Sequence, residues 1–460
     1  MTISKRDLFW GVSAQGLGIA LWLVMLPVVL RYLPPVEVGL WLVFNTIAGL
    51  AQLLELGFQP TLARNVSYVY AGAQDLYHTG LQPGCSADIN KQLLATLLAA
   101  SRRIYGLVAL SAAVLLWLGG TAYLHGLTPN GQAFLGVLLS WMTFSAGYII
   151  NFYYGYLNAF LQGRGDMVQA NKVIAISKVT QLLIGVILIM GGAGLIGLGL
   201  ASLLSTIVSR IMAHRYVYTK DRSEIQEISA SKTEVRRITA VIWHNSGRYG
   251  LVLIGAFLIT RANILIAASR VGLIESTGYA LGIQIMIVMQ TLATLPFNLN
   301  LPRLNMLRAM GETDETYRVF STSVATAIML FGLGAVAFIL AGPLLLHSLG
   351  RGTILPGTSL LVVLAMVFLL EINHGICANF IATGNHVPFV SAAVVTGLCI
   401  VVGSWVLAKP YGVGGLVVST ACCQLAYNNW KWPHEVALLL NKGYLSIIRD
   451  GLFHFKNNYT

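Results

Sequence analysis

The sequence predicts an all-α protein that crosses a membrane about twelve times, and three observations support this. Of its 460 residues, 56% are apolar and only 10% are charged, whereas a soluble domain carries about 25% charged residues. The mean hydropathy is +0.72. Apolar runs of about 20 residues, the length that spans a bilayer as a helix, recur from one end of the chain to the other. Lys and Arg are distributed unevenly among the segments between those runs. This composition excludes a soluble globular enzyme, a disordered chain and a fibre. Short alternating segments, the mark of a membrane β-barrel, are not seen.

The first run, Phe9 to Leu30, follows Lys5 and Arg6. It is too long for the apolar region of a signal peptide and another run follows at once, so it reads as a retained first helix. The later spans are expected at 38–62, 104–124, 133–160, 170–190, 195–213, 249–268, 276–299, 319–341, 358–380, 388–407 and 413–430. In hydrocarbon each segment must satisfy its own backbone, which makes helix the expected state of all twelve.

The chain has 29 basic and 17 acidic residues, a formal net charge of +12. Such an excess in a soluble protein suggests nucleic acid; here it sets topology, since cytoplasmic loops collect Lys and Arg. With the amino terminus in the cytoplasm, about 22 bases lie on the inner side. Only Arg31, Arg270, Arg351 and Lys409 lie outside, and Arg64, Lys178 and Arg261 fall within or at the ends of spans. Both termini are therefore expected inside. The long polar segments near 71–103 and 214–248 are then cytoplasmic. The predicted organisation is an amino-terminal six-helix lobe (1–219), a cytoplasmic linker (220–248), a carboxy-terminal six-helix lobe (249–430) and a cytoplasmic tail (431–460) with the character of an amphipathic surface helix.

The two lobes resemble each other. A shift of 239 residues places Arg31 on Arg270, Gly39 on Gly278, Leu42 on Leu281, Leu53 on Leu292, Leu56 on Leu295 and Phe58 on Phe297. Six spans per half give both halves the same orientation, hence a parallel repeat about a pseudo-two-fold axis normal to the membrane.

Several readings are negative. Cys85, Cys377, Cys399, Cys422 and Cys423 show neither a disulfide framework nor metal spacing. The glycines of 185–199 lack the context and the Gly-Lys-Ser/Thr ending of a nucleotide-binding loop. Arg164-Gly165-Asp166 spells an adhesion tripeptide but reads better as a tight loop between spans. No cofactor and no metal are expected.

Tyr32-Leu33-Pro34-Pro35 through Glu37-Val38-Gly39-Leu40-Trp41, followed by Leu54-Glu55-Leu56-Gly57-Phe58 and Arg64, resembles the Wzx-type polysaccharide flippases. These belong to the multidrug/oligosaccharidyl-lipid/polysaccharide (MOP) exporter superfamily, which also holds the MATE transporters. Phe160-Leu161-Gln162-Gly163-Arg164-Gly165 is similar to that family's turn after the fourth span. The resemblance implies a MOP/MATE-like fold, a bacterial inner membrane and a cationic central cavity. It also implies an undecaprenyl-diphosphate-linked oligosaccharide as substrate, cation-coupled exchange with H+ or Na+, and contact with the polysaccharide polymerase machinery. Oligomeric state is not implied.

Charges inside hydrocarbon are costly and usually face a cavity or a partner. Lys178 and Arg261, one in each half, are candidate ligands for a diphosphate, with Arg64 at the interface. The structural alternative is that Lys178 snorkels to the surface and Arg261 pairs with an acid. Glu371 and His374, three residues apart, share a helix face near Asn373 and Asn379. Glu371, His374 or Glu55 would bind the coupling ion; alternatively Glu371 neutralises Arg261 and Glu55 neutralises Arg64. Asn151, Tyr154, Asn158 and Gln162 recur at helical spacing and would contact sugar hydroxyls, with Gln284 and Gln290 as a weaker second set. The competing reading is an aromatic belt with interhelical hydrogen bonds. A multidrug or organic-cation antiporter is the second functional reading, against which Lys178 and Arg261 argue. A membrane-embedded glycosyltransferase or polymerase would need a sizeable outer loop, and all predicted outer loops are short.

Overall fold

The computed structural model describes residues 5–55, 57–76, 89–128, 131–225, 231–348, 355–384 and 388–459. Among these residues every regular element is helical. Ten helical stretches are long and apolar enough to cross a membrane, and Gly16–Tyr32 is a shorter apolar one. One of the ten, Val390–Leu439, contains a break at Gly412 (φ 55°, ψ −141°) that separates two of the predicted spans. The protein is thus a multi-pass membrane protein, and each of the twelve predicted spans falls chiefly on helix. Residues Met1–Leu253 form one compact unit and Ile254–Thr460 a second.

Unit 1 begins with α1 (Lys5–Tyr32) and α2 (Pro35–Gln52). Pro35 opens α2 at the position where a missing N–H costs nothing. A single 3-10 turn, Leu53–Glu55, follows, and Gly57 in the left-handed region (φ 73°) starts α3 (Phe58–Tyr70). The second predicted span is therefore broken at Glu55, because the backbone at Gly57 cannot continue a right-handed helix.

Helix α4 runs from Lys91 to Ala113, passes through seven residues of wider winding (Val114–Gly120) and continues as α5 (Thr121–Leu127). It starts 13 residues before the predicted span, within the segment read as a polar loop. Asn90 caps it, accepting from the Leu93 N–H at 2.9 Å, and Leu93, Leu94, Leu97 and Leu98 are buried. Apolar burial next to Arg102 and Arg103 thus extends a helix that charge counting ends too soon.

Helix α6 (Gly131–Tyr153) stops at Tyr154, and α7 (Gly155–Gly163) resumes at once. The turn after α7 explains the Arg-Gly-Asp triplet. Gly165 is left-handed (φ 85°), and Arg164 pairs with Asp166 and donates to the Tyr216 carbonyl at 3.0 Å. Helices α8 (Met167–Met190) and α9 (Gly194–Ile225) follow, and unit 1 ends within the next helix. The 24 residues of α8 reach about 36 Å at about 1.5 Å per residue, enough for a hydrocarbon core of about 30 Å. α1 packs on α8, α3 on α7, and α9 on both α6 and α8.

The expected linker 220–248 is largely helical: α9 continues to Ile225, and α10 (Lys232–Thr260) begins seven residues later. In unit 2, α10 breaks at Arg261 and α11 (Ala262–Arg270) follows. Then come α12 (Leu273–Met310), α13 (Thr313–Ser348), α14 (Thr358–Ala382) and α15 (Val390–Ala426). The expected surface tail is α16 (Asn428–Leu439) and α17 (Tyr444–Tyr459), and α17 packs on α13 with Ile447 fully buried. At the 239-residue offset Arg31 lies in the last turn of α1 and Arg270 in the last turn of α11, but α2 ends at Gln52 and α3 starts anew at Phe58, whereas α12 runs on through Leu292 and Phe297.

Candidate functional site

Unit 1 encloses a cavity of about 290 Å3 between α1, α2, α6, α8 and α9. Trp22, Trp41 and Tyr148 supply aromatic surface, Asn45, Gln52, Asn151 and Gln181 supply amides, and Ser202, Ser205 and Thr206 supply hydroxyls. Among the described residues of the lining, Lys178, three turns into α8, is the only charged one. Among the described residues it has no carboxylate partner. Its ammonium is free to meet an anion in the cavity.

The break after α6 places Asn151 on the cavity wall and Tyr154 at the junction. Arg210 of α9, only 9% exposed, fixes both: its guanidinium donates to Asn151 Oδ1 at 2.5 Å and to the Tyr154 carbonyl at 3.2 Å. A guanidinium at a helix carboxyl end satisfies carbonyls that have lost their next turn. Counting by charge puts Arg210 with the cytoplasmic bases, but the structure puts it inside the unit. Its place within the sixth predicted span, four residues after cavity-lining Thr206, is the sequence signal for it.

Glu55 accepts a hydrogen bond from the Tyr105 hydroxyl at 3.2 Å, and Arg210 is its charged neighbour. Arg64, the partner considered in the sequence, is exposed on α3. The chain Glu55, Arg210, Asn151 therefore leads from a carboxylate to the cavity wall. The stripe expected along one helix face is interrupted at Tyr154: Asn151 lines the cavity, whereas Tyr154 and Asn158 do not. Asn158 Oδ1 is buried without a hydrogen bond among the described residues.

Unit 2 holds a smaller cavity, about 30 Å3, lined by Thr260, Asn263, Tyr279, Glu371 and Thr420 among others. Asn263 is 2% exposed; its amide nitrogen donates to Thr420 Oγ1 at 2.9 Å, while its Oδ1 has no hydrogen-bond partner among the described residues. Gln424 donates to Glu371, accepts from Asn428 at 2.7 Å, and Asn428 accepts from Trp432 at 3.1 Å. His374 Nδ1 lies 2.9 Å from Asn429 Oδ1 and 3.2 Å from the Leu370 carbonyl, two acceptors that assign the proton to this nitrogen. Its Nε2 then faces Glu371 Oε1 at 3.6 Å. Carboxylate, amide oxygen and hydroxyls converging on a space of this size suit one small hard cation or a proton.

Thr420, Gln424 and Asn428 recur every four residues, a polar stripe in the last span that the sequence reading did not single out. Arg261 stands at the break between α10 and α11, half-exposed. Gln284 is buried on α12 and does not line the small cavity.

No family model matches the chain, and no curated protein matches it. Solved structures do. An inward-facing multidrug resistance MATE family transporter of the MOP superfamily covers 92% of this chain and 95% of its own, with a TM-score of 0.65 at 15% identity. An outward-facing structure of a multidrug resistance MATE family transporter gives 0.55 at 14%, covering 95% and 94%. A MOP superfamily transporter from Pyrococcus furiosus, described as having a binding pocket of reverse polarity that suggests a different function, gives 0.55 at 14%, covering 95% and 96%. At these identities the likeness is one of fold, and the chain is an all-helical, multi-pass membrane protein with the fold of the MATE transporters of the MOP superfamily.

Proposed function

We propose that the protein moves a polyprenyl-diphosphate-linked oligosaccharide from the inner to the outer leaflet of a bacterial cytoplasmic membrane by alternating access. One observation carries this reading: the cavity of unit 1 is polar, and the one charge among its described lining residues is the ammonium of Lys178, which has no carboxylate partner among the described residues. A site for organic cations would place a carboxylate there, whereas an anionic, hydroxyl-rich headgroup finds a cation, amides and aromatic faces. The MATE fold supports a transport role, and Arg261 supplies a second cation in the other unit. The distribution of bases supports an orientation with both termini in the cytoplasm.

Coupling to H+ or Na+ is assigned to Glu371 with His374 and Asn263 in unit 2, or to Glu55 beside Arg210 in unit 1. A buried acceptor without a donor, Asn263 Oδ1, supports the first. The reading is tested in a deletion strain without a redundant flippase. Complete lipid-linked glycan accumulates on the cytoplasmic leaflet, and the wild-type gene relieves this while Arg261→Ala does not. Absence of accumulation, with sensitivity to toxic organic cations instead, selects the antiporter reading. Glu371→Gln removes the dependence of export on an imposed ion gradient; full dependence in both Glu371→Gln and Glu55→Gln refutes this coupling assignment.

A further inference from the structure

The cavity of unit 1 carries more information than the sign of its ligand. At about 290 Å3 it lies at the lower end of small-molecule pockets, about 300–1,000 Å3. It holds one compact ring rather than a chain of sugars. Its lining offers hydrogen-bond groups of both kinds. Asn45 spends its amide nitrogen on the Trp41 carbonyl at 2.8 Å, which leaves its oxygen as an acceptor. Asn151 spends its oxygen on Arg210, which leaves its nitrogen as a donor. Gln181 contributes an amide with both functions.

Acceptors and donors side by side match hydroxyl groups, each of which donates and accepts. They do not match a diphosphate, whose oxygens only accept and whose charge exceeds that of one lysine. The rings of Trp22 and Trp41, 4.8 Å apart and tilted by 36°, add an apolar wall against which the C–H face of a pyranose packs. Lys178 then has one negative charge to meet.

We propose that this cavity is a subsite for a single acidic sugar residue of the glycan, with the sugar carboxylate on Lys178, its hydroxyls on Asn45, Asn151 and Gln181, and its ring against Trp22. This rests on the flippase reading and narrows it to glycans that contain a hexuronate or a similar carboxylated sugar. The diphosphate is left to cations outside this cavity.

The test uses the full-length protein in lipid nanodiscs, with tryptophan fluorescence followed during titration with soluble probes. Glucuronate is expected to bind at least about tenfold tighter than glucose, the value of one charge-assisted contact. Lys178→Gln should reduce glucuronate to the level of glucose, Lys178→Arg should keep the preference, and Trp22→Phe should weaken the signal while it remains folded, with Trp41 left as the second reporter in the cavity. Equal affinity for glucuronate and glucose, or no binding of either, overturns the subsite. Displacement of glucuronate by equimolar pyrophosphate assigns Lys178 to the diphosphate, so the subsite falls and the flippase reading stands. Displacement by tetraphenylphosphonium, with no effect of the Lys178 variants, overturns both.

Discussion

Replacing Arg210 tests whether the broken α6 is held by a side chain rather than by its own backbone. Arg210→Met keeps the apolar length of the side chain and removes the guanidinium. Two hydrogen bonds are lost, to Asn151 Oδ1 and to the Tyr154 carbonyl. In membrane proteins an interhelical hydrogen bond is worth about 0.6 kcal/mol on average and about 1.7 at most, and charged donors strengthen such bonds about twofold. The Tyr154 carbonyl still accepts from the Leu157 N–H at 3.1 Å, so it is not orphaned. Glu55 loses its neighbouring cation but keeps the Tyr105 hydroxyl. The sum is a destabilisation of about 2–3 kcal/mol. Arg210→Lys retains the charge but cannot span both oxygens, and should lose about half as much. Glu55→Gln in the Arg210→Met background should recover part of the loss, since the uncompensated carboxylate is then gone. Unfolding in mixed micelles titrated with SDS measures all four proteins. A loss below about 0.5 kcal/mol for Arg210→Met, below even one average membrane hydrogen bond, would refute the argument. So would an Arg210→Lys protein indistinguishable from wild type.

Two further outcomes concern the docking of α17. The Tyr317 hydroxyl donates to Asp450 at 2.7 Å and holds that carboxyl below its usual value near 3.8. A depressed carboxylate contributes stability above its unfolded pKa, and this is lost as pH falls through the lower folded value. Hydrogen-exchange protection of 444–454 should therefore be flat from about pH 5 to 8 and fall below about pH 4. Asp450→Asn should be less protected at neutral pH and should lose the acid step, and a step between pH 5 and 7 would contradict the assignment. Gly451 lies against the Ser321 carbonyl, and a Cβ there would also stand 2.9 Å from Ala325 Cβ. Gly451→Ala should push α17 off α13 at a cost of about 1–3 kcal/mol, seen as proteolysis within the tail, and an intact tail would show that the contact yields.

Composition alone determined that this chain lives in a membrane as helices. A chain with 10% charge has too little polar surface to face water, and hydrocarbon leaves the backbone no partner but itself. The spacing of apolar runs placed the spans, and the rarity of intramembrane charge pointed to Lys178, Glu55 and Glu371. Breaks within helices were not legible in the same way. Tyr154 and Arg261 carry no special residue type for a break, and the Arg210 contact with the Tyr154 carbonyl joins residues 56 apart in sequence. Arg210 looked like a cytoplasmic base because charge counting has no term for a guanidinium that finds two oxygens inside a unit. Nor does sequence periodicity say that Asn151 reaches the cavity while Asn158, seven residues on, does not; that depends on where α6 stops. The chain's chemistry along one dimension decided the solvent and the secondary structure. Only the tertiary structure decided which polar groups converge, because convergence joins residues as far apart as Glu55, Asn151 and Arg210, whose meeting is set by packing rather than by spacing.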